Sequence, residues 1–336
     1  MLTVLVTGAN GFVGSHALEA LMETPGTRPI AACRDRAKLL PTFNGEVREG
    51  DISDPAYLNR LLDGVDVICH AAAWSSVWGH AEESRRLFLE PTLALMAACV
   101  EKGISRIINV SSTTAAAPDR SDDPMSRGIH HKVWPHMRSI VVIEDYLRDC
   151  DADRTTRVNL RFGLFAGRRY GLGLLPLLLP RLKTHLVPWV ADGKTSMPII
   201  DGADIGKAMA LAATAPGLAG YQSFNVVGPE TPSVRQVLEF LDDSLGYPQP
   251  HFSVPFRLAY AFGRAMEMLD PIVPWEPLVT RSIVLLLEET NADNEAARRF
   301  LGYHPTVHWK DTIGAQIAEM NVRQISPMRM AKPVAG

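Results

Sequence analysis

The run Thr7-Gly8-Ala9-Asn10-Gly11-Phe12-Val13-Gly14 constrains this chain more than any other eight residues. It lies between a β-rich run at 2–6 and a helically spaced segment at 15–22. A strand that turns through glycine into a helix brings the helix's free N–H groups and its positive end to the turn. Gly8 permits the tight turn, Gly11 lets backbone N–H groups approach a pyrophosphate, and Gly14 lets the helix pack on the strand. Glycines alone often only turn a chain. In this strand–loop–helix setting they imply a dinucleotide site that includes Asn10, Phe12 and Val13.

The first half goes on alternating. Residues 29–33, 47–49, 65–70 and 106–110 read as strands, and 82–102 reads as a helix. Strands alternating with helices pair in parallel and are covered on both faces, so the expected fold is α/β, a Rossmann doubly wound parallel sheet. From about Arg161 the texture changes, with prolines at 176, 180, 188 and 198 and glycines at 163, 167, 171 and 173. Residues 224–227 resemble one more strand. Residues 255–268 and 276–288 read as apolar helices with no place in that sheet. The expected division is a dinucleotide-binding domain over 1–170, rejoined by 186–228. A smaller, discontinuous C-terminal substrate lobe takes 171–185 and 229–320, beside the strand ends where open sheets bind ligands. A loosely ordered tail follows over 321–336.

Charge excludes other classes. The chain has 336 residues, 46% hydrophobic, with 34 Lys plus Arg against 37 Asp plus Glu, a net charge of −3. Such a balance carries no broad basic footprint for nucleic acid. The four cysteines, Cys33, Cys69, Cys99 and Cys150, lie far apart with no Cys-x-x-Cys pair, as in reduced proteins of the cytosol. The first apolar run stops at Thr7-Gly8, too soon for a secretory signal. The apolar stretch at 172–182 is broken by Pro176 and Pro180 and falls short of the roughly 20 residues a membrane span needs. A cytoplasmic protein without a membrane span is expected.

The spacing Gly-x-x-Gly-x-x-Gly resembles the short-chain dehydrogenase/reductase superfamily, in its extended, epimerase/dehydratase-like branch. Gly50-Asp51-Ile52-Ser53-Asp54 is similar to the turn whose aspartate meets the adenine, and His70-Ala71-Ala72-Ala73 to the small-residue turn that passes the cofactor. Arg161-Phe162-Gly163, Asp201-Gly202-Ala203-Asp204-Ile205 and the run from Ala296 to Pro305 resemble later motifs of the branch, so the likeness spans roughly residues 1–315. Val77-Trp78-Gly79, residues 255–269 and Pro277-Leu278-Val279-Thr280-Arg281 resemble the 3β-hydroxysteroid dehydrogenase-like members. Those members imply a bulky, apolar small-molecule substrate. The branch also implies a homodimer formed through helices at 82–102 and 136–148.

The end of the second strand meets the adenosine ribose: an acid there binds a free 2′-hydroxyl, an arginine a 2′-phosphate. The strand ends Ala31-Ala32-Cys33-Arg34-Asp35-Arg36. Arg34 at the discriminating position, with Arg36 and Lys38 behind it, favours NADP(H). NAD(H) stays open, because Asp35 takes that place if the strand ends one residue later, and a solvated basic turn reads the same way.

The resemblance implies a catalytic Ser, a Tyr four residues before a Lys, and an Asn. Ser112 aligns with the serine, and Thr113 is its neighbour. No Tyr-x-x-x-Lys occurs in the chain. With Ser139 and Glu144 aligned to the helix's downstream end, His136 stands at the tyrosine position and Ile140 at the lysine position. The family's Asn-x-x-Gly-Thr becomes Phe88-Leu89-Glu90-Pro91-Thr92. Three explanations stand side by side. His136 can replace the tyrosine, since imidazole titrates near neutral pH. The chemistry can be non-redox, of epimerase, dehydratase or lyase type. Or the chain can be a dinucleotide-binding pseudoenzyme. His130, His131 and His136 lack converging carboxylate or cysteine partners and read as a loop and helix start rather than a metal site. Asp119, Arg120, Asp122, Asp123 and Arg127 read as an exposed, mobile active-site loop. Trp74, Trp78 and Trp134 suit either a substrate pocket or the core.

Overall fold

The computed structural model describes residues 1–152, 154–270, 277 and 279–323. Its elements alternate as expected: β1 (Leu2–Thr7), α1 (Phe12–Glu23), β2 (Thr27–Cys33), β3 (Glu46–Glu49), α2 (Pro55–Leu61), β4 (Val67–His70), α3 (Ala81–Ser84), α4 (Glu90–Glu101), β5 (Arg106–Ser112), α5 (Pro135–Asp149) and β6 (Thr156–Phe162). Then come β7 (Leu164–Ala166), α6 (Leu174–Leu182), β8 (Trp189–Val190), β9 (Ile199–Asp201), α7 (Gly202–Thr214) and β10 (Tyr221–Val226). The chain closes with α8 (Val234–Leu245), β11 (Ser253–Val254), α9 (Phe256–Leu269), α10 (Arg281–Leu285), α11 (Glu295–Leu301) and α12 (Trp309–Arg323).

Seven strands form one parallel sheet in the order β10-β6-β5-β4-β1-β2-β3. Val4, Leu5 and Val6 are apolar in succession because β1 is central and covered on both faces. The strand order reverses at β1, which pairs with β2 on one side and β4 on the other. The crevice at such a switch point, outside the strands' carboxyl ends, is where open α/β sheets bind ligands. One face is packed by α1, α7 and α11 through Leu18, Ile205 and Leu301. The other is packed by α2, α4 and α5 through Leu61, Leu95 and Ile143. A separate core joins α6, α8 and α12 around Leu179, Leu241 and Ile313.

Two helices differ from expectation. The helix expected over 82–102 is interrupted by a π-helical turn at Arg85–Leu89. Pro91 has no N–H for the carbonyl four residues back, and the chain widens just ahead of it. Among the described residues of the helix expected over 276–288, only Arg281–Leu285 is helical. Thr280 caps its start by accepting the Ile283 N–H at 3.3 Å, which fixes where the helix begins. Residues 276 and 278 of that segment lie outside the described residues, as do 324–336 of the expected tail. Among the described residues no helix is long and apolar enough to cross a membrane.

Candidate dinucleotide and catalytic site

The glycine loop is built around two contacts that no side chain can enter. Gly8 has φ +64°, and a Cβ on it would stand 2.7 Å from the backbone of Ala72. A Cβ on Gly14 would stand 2.2 Å from the Gly8 carbonyl oxygen. Gly11 precedes α1, and its N–H closes the turn on Gly8 O at 2.8 Å. No side chain caps α1, so the helix start keeps N–H donors for an anion. Phe12 and Val13 open the helix, and Phe12 packs on Tyr170 with ring centroids 4.5 Å apart. A turn closed to a Cβ at Gly8 and Gly14, with uncapped backbone donors at the start of α1, fits a pyrophosphate.

The turn after β2 is tied to this loop by Asn10, whose Nδ2 donates to the Asp35 carbonyl at 3.0 Å. β2 ends at Cys33, so Arg34 is the first residue past the strand. Its guanidinium is largely exposed and stands 3.9 Å from the Asp51 carboxylate. Asp35 is engaged elsewhere. Its carboxylate caps the next turn through Ala37 N at 3.1 Å and pairs with Lys38 at 3.0 Å, and these contacts hold it below the usual carboxylate range. Asp51 is held low chiefly by the Ser53 hydroxyl and stands beside Ile52 in the turn after β3.

The loop Ala71-Ala72-Ala73 leaves β4 across the face of Gly8. A buried relay fixes its exit: Thr7 Oγ1 accepts the Ala72 N–H at 3.3 Å and bonds His70 Nδ1 at 2.8 Å. His70 Nε2 in turn bonds Thr92 Oγ1 at 3.1 Å, and burial pushes the His70 pKa down to about 4. Thr7 and Thr92 each lie within a motif read from the sequence, but that reading gives neither a part in fixing this loop.

Ser112 ends β5, and its Oγ accepts the Thr114 N–H at 3.2 Å. The hydroxyl proton is therefore left to donate. Thr113 is buried beside it. His136 lies in the first turn of α5, packed on Phe88 of the π-helical turn with ring centroids 5.0 Å apart. Its Nδ1 is buried with no hydrogen-bond partner. The expectation that His136 titrates near neutrality is corrected: burial against apolar neighbours pushes its pKa down to about 4. Ile140, one turn on, is buried in the same apolar cluster as Trp134 and Met137. Among the described residues no hydrogen bond joins His136 to Ser112 or Thr113.

Deeper in, Glu144 of α5 meets Arg161 at 2.6 Å, both fully enclosed. Glu144 also accepts from Ser111 and from Asn159. The Arg161 guanidinium continues to the Ser126 carbonyl at 2.8 Å. The segment containing Asp119 to Arg127 is thus anchored: its charged side chains are exposed, but Ser121 and Ser126 are buried. Asn225 Nδ2 donates to the Ser121 carbonyl at 2.7 Å. Trp134 is core and donates to the Ser76 carbonyl at 3.0 Å, while Trp74 packs edge-on to His80. His130 stands apart from His136, bonded to Asp145 at 2.9 Å.

Comparison with known proteins agrees with this geometry. The model of the NAD dependent epimerase/dehydratase family matches residues 4–227. A 2-alkyl-3-oxoalkanoate reductase of Stenotrophomonas maltophilia is 27% identical over 321 residues, 90% of this chain and 95% of that protein. A 4-hydroxy-2-methyl-3-oxo-4-farnesyl-3,4-dihydroquinoline-1-oxide ketoreductase of Stigmatella aurantiaca is 25% identical over 308 residues, 89% of this chain and 90% of that one. Among solved structures, gox2253 matches with TM-score 0.74 and 24% identity, covering 97% of this chain and 99% of its own. MoeE5 in complex with UDP-glucuronic acid and NAD matches with TM-score 0.68 and 21% identity, covering 95% and 99%. Those two likenesses concern the fold.

Proposed function

The chain belongs to the NAD dependent epimerase/dehydratase family, and from that premise we propose that it is an NADP(H)-dependent oxidoreductase interconverting a ketone and an alcohol on a bulky apolar substrate. The observation that carries this reading is the cradle of Gly8, Gly11 and Gly14, tied through Asn10 to a turn where Arg34 is exposed and held only by a 3.9 Å pair with Asp51, while Asp35 is bound to Ala37 and Lys38. That arrangement suits a dinucleotide with a 2′-phosphate. The reductase and ketoreductase names of the two relatives support the reaction class.

A nicotinamide held there supplies or takes up the hydride. The chain's own groups handle the oxygen. Ser112 donates its hydroxyl proton in a hydrogen bond to the reacting oxygen, with Thr113 beside it. His136, neutral at pH 7, offers an N–H to the oxygen as negative charge develops during reduction. In the oxidising direction its unprotonated nitrogen accepts the hydroxyl proton and passes it to solvent water; in reduction the same path runs in reverse, water supplying the proton that the alcohol gains. Ile140 and Phe88 keep this corner apolar, which strengthens each hydrogen bond made inside it. The active unit in this reading is a homodimer packed through the helices at 81–101 and 135–149.

One observation favours a second reading, a dinucleotide-binding protein without turnover: His136 stands without the usual lysine and its Nδ1 has no partner. The test is to mix protein and NADPH with a panel of bulky apolar ketones and follow nicotinamide absorbance, with His136→Phe as control. Substrate-dependent oxidation that His136→Phe abolishes, at unchanged NADPH affinity, supports the enzyme. NADPH binding with no absorbance change for any ketone supports the second reading.

A further inference from the structure

We infer that the outward face of α9 is a docking surface for an anionic lipid bilayer. A surface helix of a globular protein ordinarily turns its apolar stripe inward and its charges to water. α9, 14 residues and about 21 Å long, does something different. Its inner face is Ala259, Gly263 and Glu267 at i, i+4 and i+8. Gly263 allows the start of α10 to approach, since a Cβ there would stand 3.0 Å from Arg281 N. Glu267 is buried and bonded to both the backbone and the guanidinium of Arg281.

The outer face is apolar throughout. Leu258, Phe262, Ala265 and Leu269 follow one another at i, i+4, i+7 and i+11, with Ala261 and Met268 alongside. Leu258, Phe262, Met268 and Leu269 are 45–69% exposed. Such a row of large side chains is uncommon on a face left to water. α9 ends at Leu269, and Asp270, half-buried, caps it.

Charge says what the face fits. Arg257 and Arg264 are exposed and lie side by side along one edge of the apolar stripe, one at i and one at i+7. The helix's one glutamate is turned inward to Arg281, so the exposed charges from 256 to 269 are all positive, in a chain of net charge −3. An apolar stripe edged by arginines is the arrangement of helices that lie in a bilayer interface. There the apolar side enters the acyl boundary and the cations meet anionic headgroups. A second copy fits less well. Two such faces pressed together bring arginines to a partner face with no exposed acid within α9 to pair them.

The inference stands apart from the reading of the catalytic site. It is tested on the full-length protein by flotation with vesicles of phosphatidylcholine alone and of phosphatidylcholine with phosphatidylglycerol. Binding to the anionic vesicles at least tenfold tighter than to neutral ones is expected. Phe262→Ser with Leu269→Ser should weaken it at least tenfold, and Arg257→Glu with Arg264→Glu should remove the anionic preference, about fivefold per arginine. These positions are exposed, so melting temperatures and NADPH affinity should stay at wild-type values. Failure to float with either vesicle overturns the inference. So does a dimer in size-exclusion chromatography that Phe262→Ser with Leu269→Ser converts to monomer, because the face then belongs to a second copy.

Discussion

Arg34, just past β2, stands 3.9 Å from Asp51 in the turn after β3, with the arginine side chain 80% exposed. An ion pair this long and this wet holds the guanidinium in place for little, about 0–1 kcal/mol. It is easily surrendered to a stronger partner, and a phosphate with two oxygens for the guanidinium fork is one.

The first prediction follows from that pair. Arg34→Glu should weaken NADPH binding by at least about tenfold, the scale of one lost charge-assisted hydrogen bond, and leave NADH nearly untouched. Calorimetric titration with NADPH, NADP⁺, NADH and NAD⁺ reads both numbers. If wild type binds NADH more tightly than NADPH, Arg34 is not the discriminating residue.

Gly8 and Gly26 separate conformation from crowding. Both have positive φ, +64° and +79°, but only Gly8 has backbone within 4 Å of an added Cβ. Gly26→Ala should cost the left-handed backbone alone, about 1 kcal/mol. Gly8→Ala adds a collision with Ala72 and should cost about 2–4 kcal/mol in all, with dinucleotide affinity falling too. Urea denaturation of the two variants measures the contrast.

How much of this was legible beforehand follows from where each determinant lies. The glycine loop was readable because its requirement is local: strand, turn and helix are consecutive, and glycine alone satisfies the turn. The sequence left Arg34 and Asp35 both open at the end of the second strand; β2 ends at Cys33, which makes Arg34 the first residue past it. Ser112 could be placed at a strand end because the apolar run before it reads as a strand, and it is the last residue of β5. The state of His136 was not readable, since it depends on Phe88, 48 positions earlier, reached through a π-helical turn. The relay from Thr7 through His70 to Thr92 likewise spans three elements that only the folded sheet brings together. The helix expected at 276–288 was too long because apolar spacing does not show where Thr280 caps it.

Glu144 and Arg161 form an enclosed pair in which each has few alternatives. Removing one charge leaves the other buried and unbalanced, which costs about 3–5 kcal/mol. Glu144→Gln keeps the shape and one acceptor oxygen but strands the Arg161 charge, so a loss near about 3 kcal/mol is expected. Arg161 also holds the Ser126 carbonyl, so the 119–127 segment should loosen in the same variant. Proteolysis within that segment should then quicken relative to wild type. Unchanged stability would falsify the view that this pair pins α5 to the sheet.

His136 sets the pH dependence, and the sign is fixed by its direction of shift. Its folded pKa, about 4, lies below the unfolded value of 6.5, so between those values the unfolded chain binds a proton that the folded one refuses. Stability must therefore fall as pH drops through 6.5 toward 4 and stay flat above. Between pH 7 and pH 5 this one group should remove about 2 kcal/mol. His136→Phe abolishes the term, so its stability should decline less than that of wild type over the same interval, His70 contributing equally to both. Activity carries a matching signature. A His136 that works neutral gives kcat/KM no limb near pH 6.5 from this residue, whereas one that works as imidazolium gives a rate that keeps rising on acidification toward pH 4, where the buried ring gains its proton. Stability curves for the two proteins and one pH–rate profile distinguish these cases.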